Sequence, residues 1–414
     1  MGSKRVSEDH VRTFLLGLVI CAIALGMSAS TNAADWPNYR GPNYDGVSSE
    51  TGWSTTWPAS GPKIPWERQI GIGFASMSVS NERVYATGNV DDHDIVYCLD
   101  ANTGKEIWKT SYPCPLFNKN HEGGPCATPT VEGDAVYTLS KNGDAIRFNA
   151  ATGNIIWHTK LVKDLGFKLP TWFLSSSALL VNDVVILNVG SYGVGLNKAN
   201  GSVVWQNGKG VPGYASGVPW MLDGQKCVAM AVSVEVAGLN PATGKLMWKF
   251  PWKTSYAINA ADTIVSDDTV FISSGYNRGC GLYKINGSSV TEVWQNKNMR
   301  NHINCSVLWQ GHIYGFDGQV GGGGKLACID FKTGQKVWSQ GGLGTGSLMI
   351  ADGKLIILGE SGKLAIAEAS PEGYKELASA QILKGKCWTV PVLANGKIYA
   401  RNAAGHLVCV DVSQ

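Results

Sequence analysis

The sequence has few charged residues, and the two signs nearly cancel. Asp, Glu, Lys and Arg make up 16% of the 414 residues, and the formal net charge is +3, whereas an ordinary globular protein is about 25% charged. A surface that attracts nucleic acid or anionic lipid needs a concentration of positive charge that this balance does not supply. We therefore expect neither a nucleic-acid partner nor an acidic membrane surface as a partner.

Several cofactor and membrane motifs are also missing. No CxxCH segment is present, so the sequence predicts no covalently attached haem. The ten cysteines and seven histidines do not form two ligand pairs at zinc-site spacing, so no metal site is predicted. After the first 33 residues, no apolar stretch approaches the ~18 residues of a membrane-spanning helix. We expect no membrane span in the mature chain.

The first 33 residues have the organisation of a secretory signal peptide. Lys4 and Arg5 are followed by an apolar core of 14 residues from Phe14 to Met27 and then by small residues. This core is too short to cross a bilayer comfortably, and the three features together are typical of a segment cleaved on export. Cleavage is expected near Ala33, which predicts a periplasmic or secreted protein. An uncleaved membrane anchor is the alternative.

Glycine and tryptophan are abundant. The chain has 51 Gly, 15 Trp and only 10 Phe, and 44% of its residues are hydrophobic. This apolar content is enough for a folded core and argues against intrinsic disorder over most of the chain. The composition favours many short strands that are joined by tight turns.

A repeated segment identifies the fold. VYCLDANTGKEIW, IRFNAATGNIIW, VAGLNPATGKLMW and LACIDFKTGQKVW each end on a tryptophan, and two looser copies follow the same pattern. The glycine suits a turn with positive φ, and the preceding Asp or Asn can hydrogen-bond to the turn backbone. The tryptophan is expected to dock between adjacent sheets with its N–H paired. The predicted docking residues are Trp66, Trp108, Trp157, Trp205, Trp248, Trp294 and Trp338.

The spacing predicts an all-β, eight-bladed β-propeller of four-stranded antiparallel blades. The tryptophans are 42 to 49 residues apart, which falls in the ~40–50 residue range of propeller repeats. Eight third strands match eight fourth strands only if the strand near Trp66 completes the last blade at 405–411. That closure pairs the N- and C-terminal strands and removes a free sheet edge. Seven blades is the alternative, because the unit at 359–383 has lost both Thr-Gly and Trp.

The predicted organisation is a signal peptide at 1–33, an N-terminal extension at 34–62 and the propeller at 63–414. Small residues precede the first strand of nearly every unit, as at Ala127-Thr128, which suits strands that line a crowded axis. Cys114 and Cys126 share one inter-blade loop, and the sequence leaves open whether they form a disulfide.

The turn and tryptophan spacing, in the pattern AxDxxTGxxxW, resembles the tryptophan-docking repeat of pyrroloquinoline-quinone-type β-propellers over about residues 63–414. The segment DWPNYRGPNYDGVS at 35–48 is similar to the start of secreted, planctomycete-type propellers with this repeat. The resemblance implies two functional classes. One comprises quinone-dependent dehydrogenases, with quinone and calcium over the ring axis. The other comprises cofactor-free propellers, such as the outer-membrane β-barrel assembly lipoprotein, which bind other proteins.

The residues that the dehydrogenase class implies have no convincing counterpart. That class carries an adjacent Cys-Cys pair that stacks on the quinone, and this sequence has no such dipeptide. The class also implies a Glu, Asn and Asp calcium set, and neither Glu122 nor Glu235 has the family's sequence context. The sequence therefore predicts no catalytic residue, no metal site and no cofactor. Pyrroloquinoline quinone with calcium is kept as the alternative.

The inter-blade loops carry the candidate binding residues. Aromatic rings and arginines on one face of a ring suit stacking on a sugar or a planar molecule, or a protein interface. For each residue taken singly, packing onto the ring is the alternative interpretation. The candidate ligand- or partner-binding residues are His121, Glu122, Trp172, Trp220, Tyr256, Arg300, His302, Asn304 and Trp388.

These observations favour a non-enzymatic binding or scaffold propeller. Its loop face is expected to bind a protein partner, a carbohydrate or another small molecule. The alternative function is that of an alcohol or sugar dehydrogenase that depends on pyrroloquinoline quinone.

Overall fold

The computed structural model describes residues 34–119 and 121–414, and these residues form eight sheets. The signal peptide predicted at 1–33 lies outside the described residues. Each sheet corresponds to one sequence repeat, and the unit at 359–383 contributes its two strands like the others. The eight-bladed propeller is confirmed, and the seven-bladed alternative is wrong.

The strands follow one another blade by blade. Two N-terminal strands come first, β1 (Val47–Ser48) and β2 (Lys63–Gln69). Blade 1 contains β3 (Ser78–Ser80), β4 (Arg83–Val90), β5 (His93–Asp100) and β6 (Glu106–Pro113). Blade 2 contains β7 (Thr130–Glu132), β8 (Ala135–Leu139), β9 (Asp144–Asn149) and β10 (Ile155–Lys160). Blade 3 contains β11 (Leu179–Val181), β12 (Val184–Leu187), β13 (Val194–Asn197) and β14 (Val203–Gln206). Blade 4 contains β15 (Val218–Leu222), β16 (Gln225–Ala231), β17 (Glu235–Leu239) and β18 (Leu246–Pro251).

A single 3₁₀ turn at Ser255–Ala257 precedes the second half of the ring. Blade 5 contains β19 (Ile264–Ser266), β20 (Thr269–Ser274), β21 (Gly279–Asn286) and β22 (Ser289–Asn296). Blade 6 contains β23 (Val307–Trp309), β24 (His312–Asp317), β25 (Lys325–Asp330) and β26 (Lys336–Gln340). Blade 7 contains β27 (Ser347–Ala351), β28 (Lys354–Leu358), β29 (Lys363–Glu368) and β30 (Glu376–Gln381). Blade 8 contains β31 (Val392–Ala394), β32 (Lys397–Arg401) and β33 (His406–Asp411), completed by β2.

Two-residue turns join the first and second strands of several blades. The central residues of such a turn both need positive φ, which Asp-Gly and Asn-Gly supply at low cost. Asp223 and Gly224 have φ of 48° and 73° between β15 and β16, and Asn395 and Gly396 have φ of 55° and 70° between β31 and β32. These dipeptides fix the register of their hairpins. The longer inter-blade loops lie at the other end of the blades.

The repeated Thr-Gly turn is a docking surface for the tryptophan of the preceding blade. The Trp108 indole N–H donates to the carbonyl oxygen of Ala150 at 2.9 Å, and Trp157 donates in the same way to Lys198 at 2.8 Å. Gly153, with φ of 74°, lies so close that an added Cβ would be 2.5 Å from the Trp108 ring. The equivalent N–H bonds of Trp66, Trp205, Trp294 and Trp338 reach backbone oxygens of the next blade at 2.9–3.1 Å.

Trp248 departs from this pattern. It is 2% exposed, but its indole N–H has no partner among the described residues. The next unit, blade 5, has no Thr-Gly turn, but this alone does not explain the difference, since blade 7 lacks Thr-Gly as well and still accepts the Trp338 N–H at Ser370. Trp220 of the same blade, at 6.1 Å from Trp248, instead donates its N–H to the Asp267 oxygen of blade 5 at 3.0 Å.

The chain ends close the ring as predicted. β2 pairs antiparallel with β33, with Trp66 opposite Cys409 and Gln69 opposite His406. A salt bridge of 3.1 Å from Lys63 to Asp411 lies at one end of this pairing. The last blade is therefore completed by a strand that lies more than 300 residues away in sequence.

The segment 34–50 crosses the ring on the side of the two-residue turns. Trp36 exchanges two backbone hydrogen bonds of 2.8 Å with Val79 of blade 1, and β1 pairs parallel with β27 of blade 7. The Glu50 carboxylate accepts the backbone N–H of Asn395 in blade 8 at 2.7 Å. These three blades are consecutive in the ring. The same segment also accepts the Val131 N–H of blade 2 on the Pro37 oxygen at 2.8 Å and donates from Arg40 to the Ser306 oxygen of blade 6 at 3.0 Å, so it contacts opposite sides of the axis.

The core lies between neighbouring blades. Cys98, Cys328 and Cys409, which lie in the third strands of their blades, are fully buried. The nine cysteines within 34–119 and 121–414 are all free, so Cys114 and Cys126 form no disulfide. In the described part of the chain, no helix has the length and apolar character required to cross a membrane.

Candidate functional site

A chain of hydrogen bonds runs around the axis just before the first strands. Each backbone N–H donates to a side chain of the next blade. The bonds join Ser76 to Thr128 Oγ1 at 3.0 Å, Thr128 to Ser177 Oγ at 3.0 Å, Ser177 to Ser216 Oγ at 3.0 Å, Ser216 to Asp262 Oδ1 at 2.7 Å and Asp262 to Cys305 Sγ at 3.1 Å. The small residues predicted at the axis therefore also link five neighbouring blade pairs.

A cavity of about 360 Å³ lies on the axis, inside the ring of inter-blade loops. This volume lies in the range of ligand pockets, ~300–1,000 Å³. Tyr39 of the segment 34–50 contributes to the lining from the opposite side of the ring. Most of the lining is apolar or aromatic. The rings that contribute are Tyr39, Phe74, His121, Trp172, Tyr214, Tyr276, His302 and Trp388.

One wall of the cavity is a continuous aromatic cluster. Phe74 and Trp388 are stacked, with centroids 5.4 Å apart and planes at 25°. His121 meets Phe74 edge-on at 5.4 Å and lies 5.8 Å from Trp172. Such pairs add about 0.5–1.5 kcal/mol each beyond their burial, so these loops hold one another in place.

The opposite wall is built by His302 and two tyrosines. Tyr276 meets the His302 ring edge-on at 5.0 Å, and Tyr256 packs on Tyr276 at 5.6 Å. Tyr256 is 78% exposed, so it stands at the rim and offers most of its ring to solvent.

Burial favours the neutral form of both cavity histidines. Burial lowers the pKa of His302. Burial also lowers the pKa of His121, against the opposing effect of Glu122. His121 Nδ1 accepts the N–H of Gly123 at 3.0 Å and His302 Nδ1 accepts that of Val320 at 3.3 Å. The proton of each neutral ring is therefore on Nε2.

Asp262 is the acidic group in the cavity lining. It is 6% exposed, and burial raises its pKa to about 6, although Arg40 and the Ser216 N–H act in the opposite direction. Oδ1 accepts the Ser216 N–H at 2.7 Å. Across the described ranges, Oδ2 has no hydrogen-bond partner, and it is not sealed from solvent.

The structure brings five of the nine predicted binding residues to the cavity. These residues are His121, Trp172, His302, Asn304 and Trp388. Asn304 also donates to the Gly346 oxygen at 2.7 Å, which ties its loop to blade 7.

Three predicted residues lie around the cavity. Tyr256 is at the rim, as described above. Glu122 forms a 2.9 Å salt bridge with Lys386, whose ammonium lies 4.4 Å from the Trp388 ring centroid. Arg300 makes a two-point contact with Asp317, at 2.7 and 2.9 Å, in a neighbouring cleft lined by glycines.

The placement predicted for Trp220 is wrong. It lies within β15, is 8% exposed and belongs to the hydrophobic cluster that contains Trp248. Ser216 and Gly217 are the small residues that precede the first strand of blade 4, and Trp220 follows them inside β15. The structure places this ring between blades 4 and 5.

Phe74, Tyr39 and Asp262 are among the lining residues that were not identified from the sequence. Phe74 lies between β2 and β3, Tyr39 belongs to the N-terminal segment, and Asp262 lies just before β19. Alignment of the repeats offers a signal for Asp262, because most other blades carry Ser or Thr at the corresponding position of the axial chain.

The lining does not fit pyrroloquinoline quinone. The quinone carries several carboxylates, and no Lys or Arg lines the cavity in the described residues. Within the same ranges, no group of three or more His, Cys, Asp or Glu side chains is arranged to hold a metal ion such as calcium. Burial of an unpaired carboxylate beside Asp262 is strongly unfavourable. We derive no chemical step through this group.

Comparison with known sequences points to one family. The family model described as outer membrane protein assembly factor BamB matches residues 44–216, 177–340 and 233–414. The outer membrane protein assembly factor BamB of Yersinia pestis is 22% identical over 357 residues, which cover 84% of this chain and 78% of that protein. The protein of the same name from Bordetella pertussis is 22% identical over 360 residues, with 84% and 76% covered.

Solved structures agree on the fold. BamB from Moraxella catarrhalis has a TM-score of 0.61 and 16% identity, covering 84% of this chain and 99% of that chain. A quinohemoprotein alcohol dehydrogenase from Comamonas testosteroni has a TM-score of 0.63 and 13% identity, covering 92% and 81%. At these identities the likeness concerns the fold alone, so it does not distinguish a binding protein from a dehydrogenase.

Proposed function

Because the chain belongs to the family described as outer membrane protein assembly factor BamB, we propose that it is a non-enzymatic scaffold for the assembly of outer-membrane proteins. It acts after export to the periplasm, in agreement with the signal peptide predicted at 1–33 and cleaved near Ala33. Its partner is a protein of the assembly machinery that docks on the inter-blade loop face.

The observation that carries this proposal is the exposed aromatic rim of the loop face. Tyr256 is 78% exposed although its neighbours Tyr276 and His302 pack tightly below it. Its backbone φ is 68°, a conformation that is uncommon for a bulky residue. Tyrosine and arginine are enriched where protein interfaces have most of their binding energy, and Arg300 lies in the adjacent cleft.

The test is complementation in the native host. A strain without this protein should have reduced outer-membrane protein levels, and the wild-type chain should restore them. Tyr256→Ala should restore them less well, because it removes a rim side chain that makes little contribution to folding. Met221→Ala is the matched control, since Met221 is 58% exposed on β15, away from the loops. Normal outer-membrane protein levels in the deletion strain would contradict the proposal.

The dehydrogenase alternative has its own test. Purified protein is supplied with pyrroloquinoline quinone and Ca²⁺, and dye-linked oxidation of a panel of alcohols and aldose sugars is measured. We expect no oxidation that depends on the quinone. Turnover that disappears when the quinone is omitted would replace the scaffold proposal with the dehydrogenase.

A further inference from the structure

The axial cavity has the chemistry of a receptor for a positively charged molecule. We propose that it binds a small organic cation, in the form of an ammonium group attached to an apolar or aromatic body. The inference does not depend on the scaffold function, because it concerns a small molecule and a site within this chain.

The walls suit a cation with an apolar body. Phe74, Trp172, Tyr214, Tyr276 and Trp388 line a cavity of about 360 Å³. A cation is attracted to the face of such a ring, most of all when water is excluded. The apolar body of the ligand is stabilised by the apolar surface that it buries against these rings.

Asp262 provides the negative charge that would pair with a bound cation. Asp262 is more than nine-tenths buried and lines the cavity, and its Oδ2 has no partner in the described parts of the chain. Arg40 approaches from the far side, but its guanidinium donates to the carbonyl oxygens of Tyr44, Asp45 and Ser306 at 2.8–3.3 Å. Arg40 lowers the pKa of Asp262 through its charge, but in the described residues the hydrogen bonds of its guanidinium go to these carbonyl oxygens and not to the carboxylate. An ammonium group in the cavity would therefore be able to donate a hydrogen bond to Asp262 Oδ2.

The hydrogen bond to the Ser216 N–H does not require a carboxylate, because Thr128, Ser177 and Ser216 accept the equivalent bonds with hydroxyl groups. Asp262 also interacts with the charge of buried Arg40, but the described contacts of Arg40 leave Oδ2 without a hydrogen bond. A hydroxyl at this position would avoid the unfavourable burial of a charge. A buried carboxylate that opens into a cavity is thus better explained by a ligand than by packing.

Anionic ligands are disfavoured by the same geometry. Lysine and arginine are absent from the described lining, and the nearest ammonium at the rim, that of Lys386, is paired with Glu122 at 2.9 Å. Burial lowers the pKa of the two histidines of the lining and so favours their neutral form.

The proposal is tested by direct binding to the purified full chain. Benzylamine and benzyltrimethylammonium are compared with benzyl alcohol and benzoate, which have a similar body with no charge or a negative charge. Binding is followed by calorimetry and by quenching of tryptophan fluorescence, since Trp172 and Trp388 line the cavity. We expect the cations to bind at least about tenfold more tightly than the alcohol, which corresponds to ~1.4 kcal/mol.

Two variants locate the site. Asp262→Asn keeps the acceptor for Ser216 and should weaken cation binding about tenfold or more while leaving benzyl alcohol unaffected. Trp172→Leu keeps an apolar side chain and should also weaken the cations. Asp223→Asn, on an exposed turn, is the matched control and should bind like the wild type. Circular dichroism and thermal melting establish that each variant is folded.

The pH profile supplies an independent readout. Cation binding should fall as the pH drops through about 6, where Asp262 becomes protonated. Of the groups around this carboxyl, Arg40 stays charged, burial raises the pKa of the Tyr39 hydroxyl, and burial raises that of the Cys305 thiol to about 11. His121 and His302 also line the cavity, and burial lowers the pKa of both. The profile is therefore measured for wild type and for Asp262→Asn, and only the part that the substitution removes is assigned to Asp262. Equal affinity for amine and alcohol, or unchanged cation binding by folded Asp262→Asn, would overturn the proposal.

Discussion

At the scale of single residues, the glycine of each Thr-Gly turn meets two separate requirements. Gly153 has φ of 74°, and an added Cβ would be 2.5 Å from the Trp108 ring. Asn149 at the start of the same turn accepts the N–H of Thr152 at 3.0 Å, as Asp100 does for Thr103 in blade 1. The hydrogen bonds from Thr103 lower the pKa of Asp100. Turn geometry and blade docking are therefore encoded in the same few residues.

Alanine substitutions separate these two requirements. Gly133 has φ of 59° with open space around its Cβ direction, so Gly133→Ala should cost only the ~1–2 kcal/mol of a left-handed backbone conformation. Gly153→Ala adds overpacking against Trp108, worth about 1–3 kcal/mol more. Urea denaturation of both variants measures the difference. Equal losses of stability would contradict the docking role of the glycine.

The tryptophan itself can be tested at Trp157, which is 8% exposed. Trp157→Ala should lower the free energy of unfolding by ~3–5 kcal/mol, as for other large truncations in a core. The melting temperature should fall with it. A variant with a normal melting temperature would show that this ring does not hold blades 2 and 3 together.

Asp262 makes the stability depend on pH. Its pKa rises from 3.8 to about 6 on folding, mainly through burial. A carboxyl whose pKa is raised stabilises the folded state fully below about pH 4, and this contribution is lost as the pH rises through 6. The free energy of unfolding of Asp262→Asn, relative to that of wild type, should therefore increase by on the order of 3 kcal/mol from pH 4 to pH 7.5. Chemical denaturation at the two pH values measures this, and Asp223→Asn should show no such gain.

How far the sequence predicts these residues depends on whether their role is local. The docking tryptophans were predictable because the turn, its capping Asp or Asn and the ring lie within one short motif. His121, His302 and Trp388 were predicted as binding residues because rings of this type lie in inter-blade loops. Asp262 and Tyr39 were not predicted, because they become cavity-lining residues only when segments that are distant in sequence meet at the axis.

At the scale of elements, the segment 34–50 acts as a cross-brace. The Pro37 oxygen accepts the N–H of Val131 in blade 2, while Arg40 donates to the Ser306 oxygen of blade 6 on the other side of the axis. The sequence motif at 35–48 was recognised only through its resemblance to the start of other propellers. The path of the segment 34–50 could not be predicted, because a short irregular segment has no periodic pattern that indicates which blades it contacts.

Arg40 is the residue that holds this segment at the axis. It is 5% exposed and donates to carbonyl oxygens of its own segment and of Ser306 in blade 6. Arg40→Ala leaves buried carbonyl groups without a donor, each at about 1–3 kcal/mol, so we expect a loss of roughly 3 kcal/mol or more. Arg68→Ala is the control, because exposed Arg68 makes one hydrogen bond, to Gly104. Similar melting temperatures for the two variants would contradict the bracing role.

At the scale of the whole molecule, stability depends on closure of the ring by β2 and β33. Contacts between consecutive blades form a linear series, and the pairing of Trp66 with Cys409 converts that series into a circle.

A chain that ends at residue 404 lacks β33, so β2 and β32 each lose a neighbour and the apolar faces of blade 8 are exposed. We expect this truncation to unfold over a broad denaturant range, with a lower midpoint, because the blades can then separate stepwise from the open end. Removal of Ser413 and Gln414 alone, which are exposed, should leave a single sharp transition. The two chains are compared by urea denaturation with fluorescence and circular dichroism as separate probes. Coincident, wild-type-like transitions for the chain ending at 404 would show that the eight blades hold together without closure.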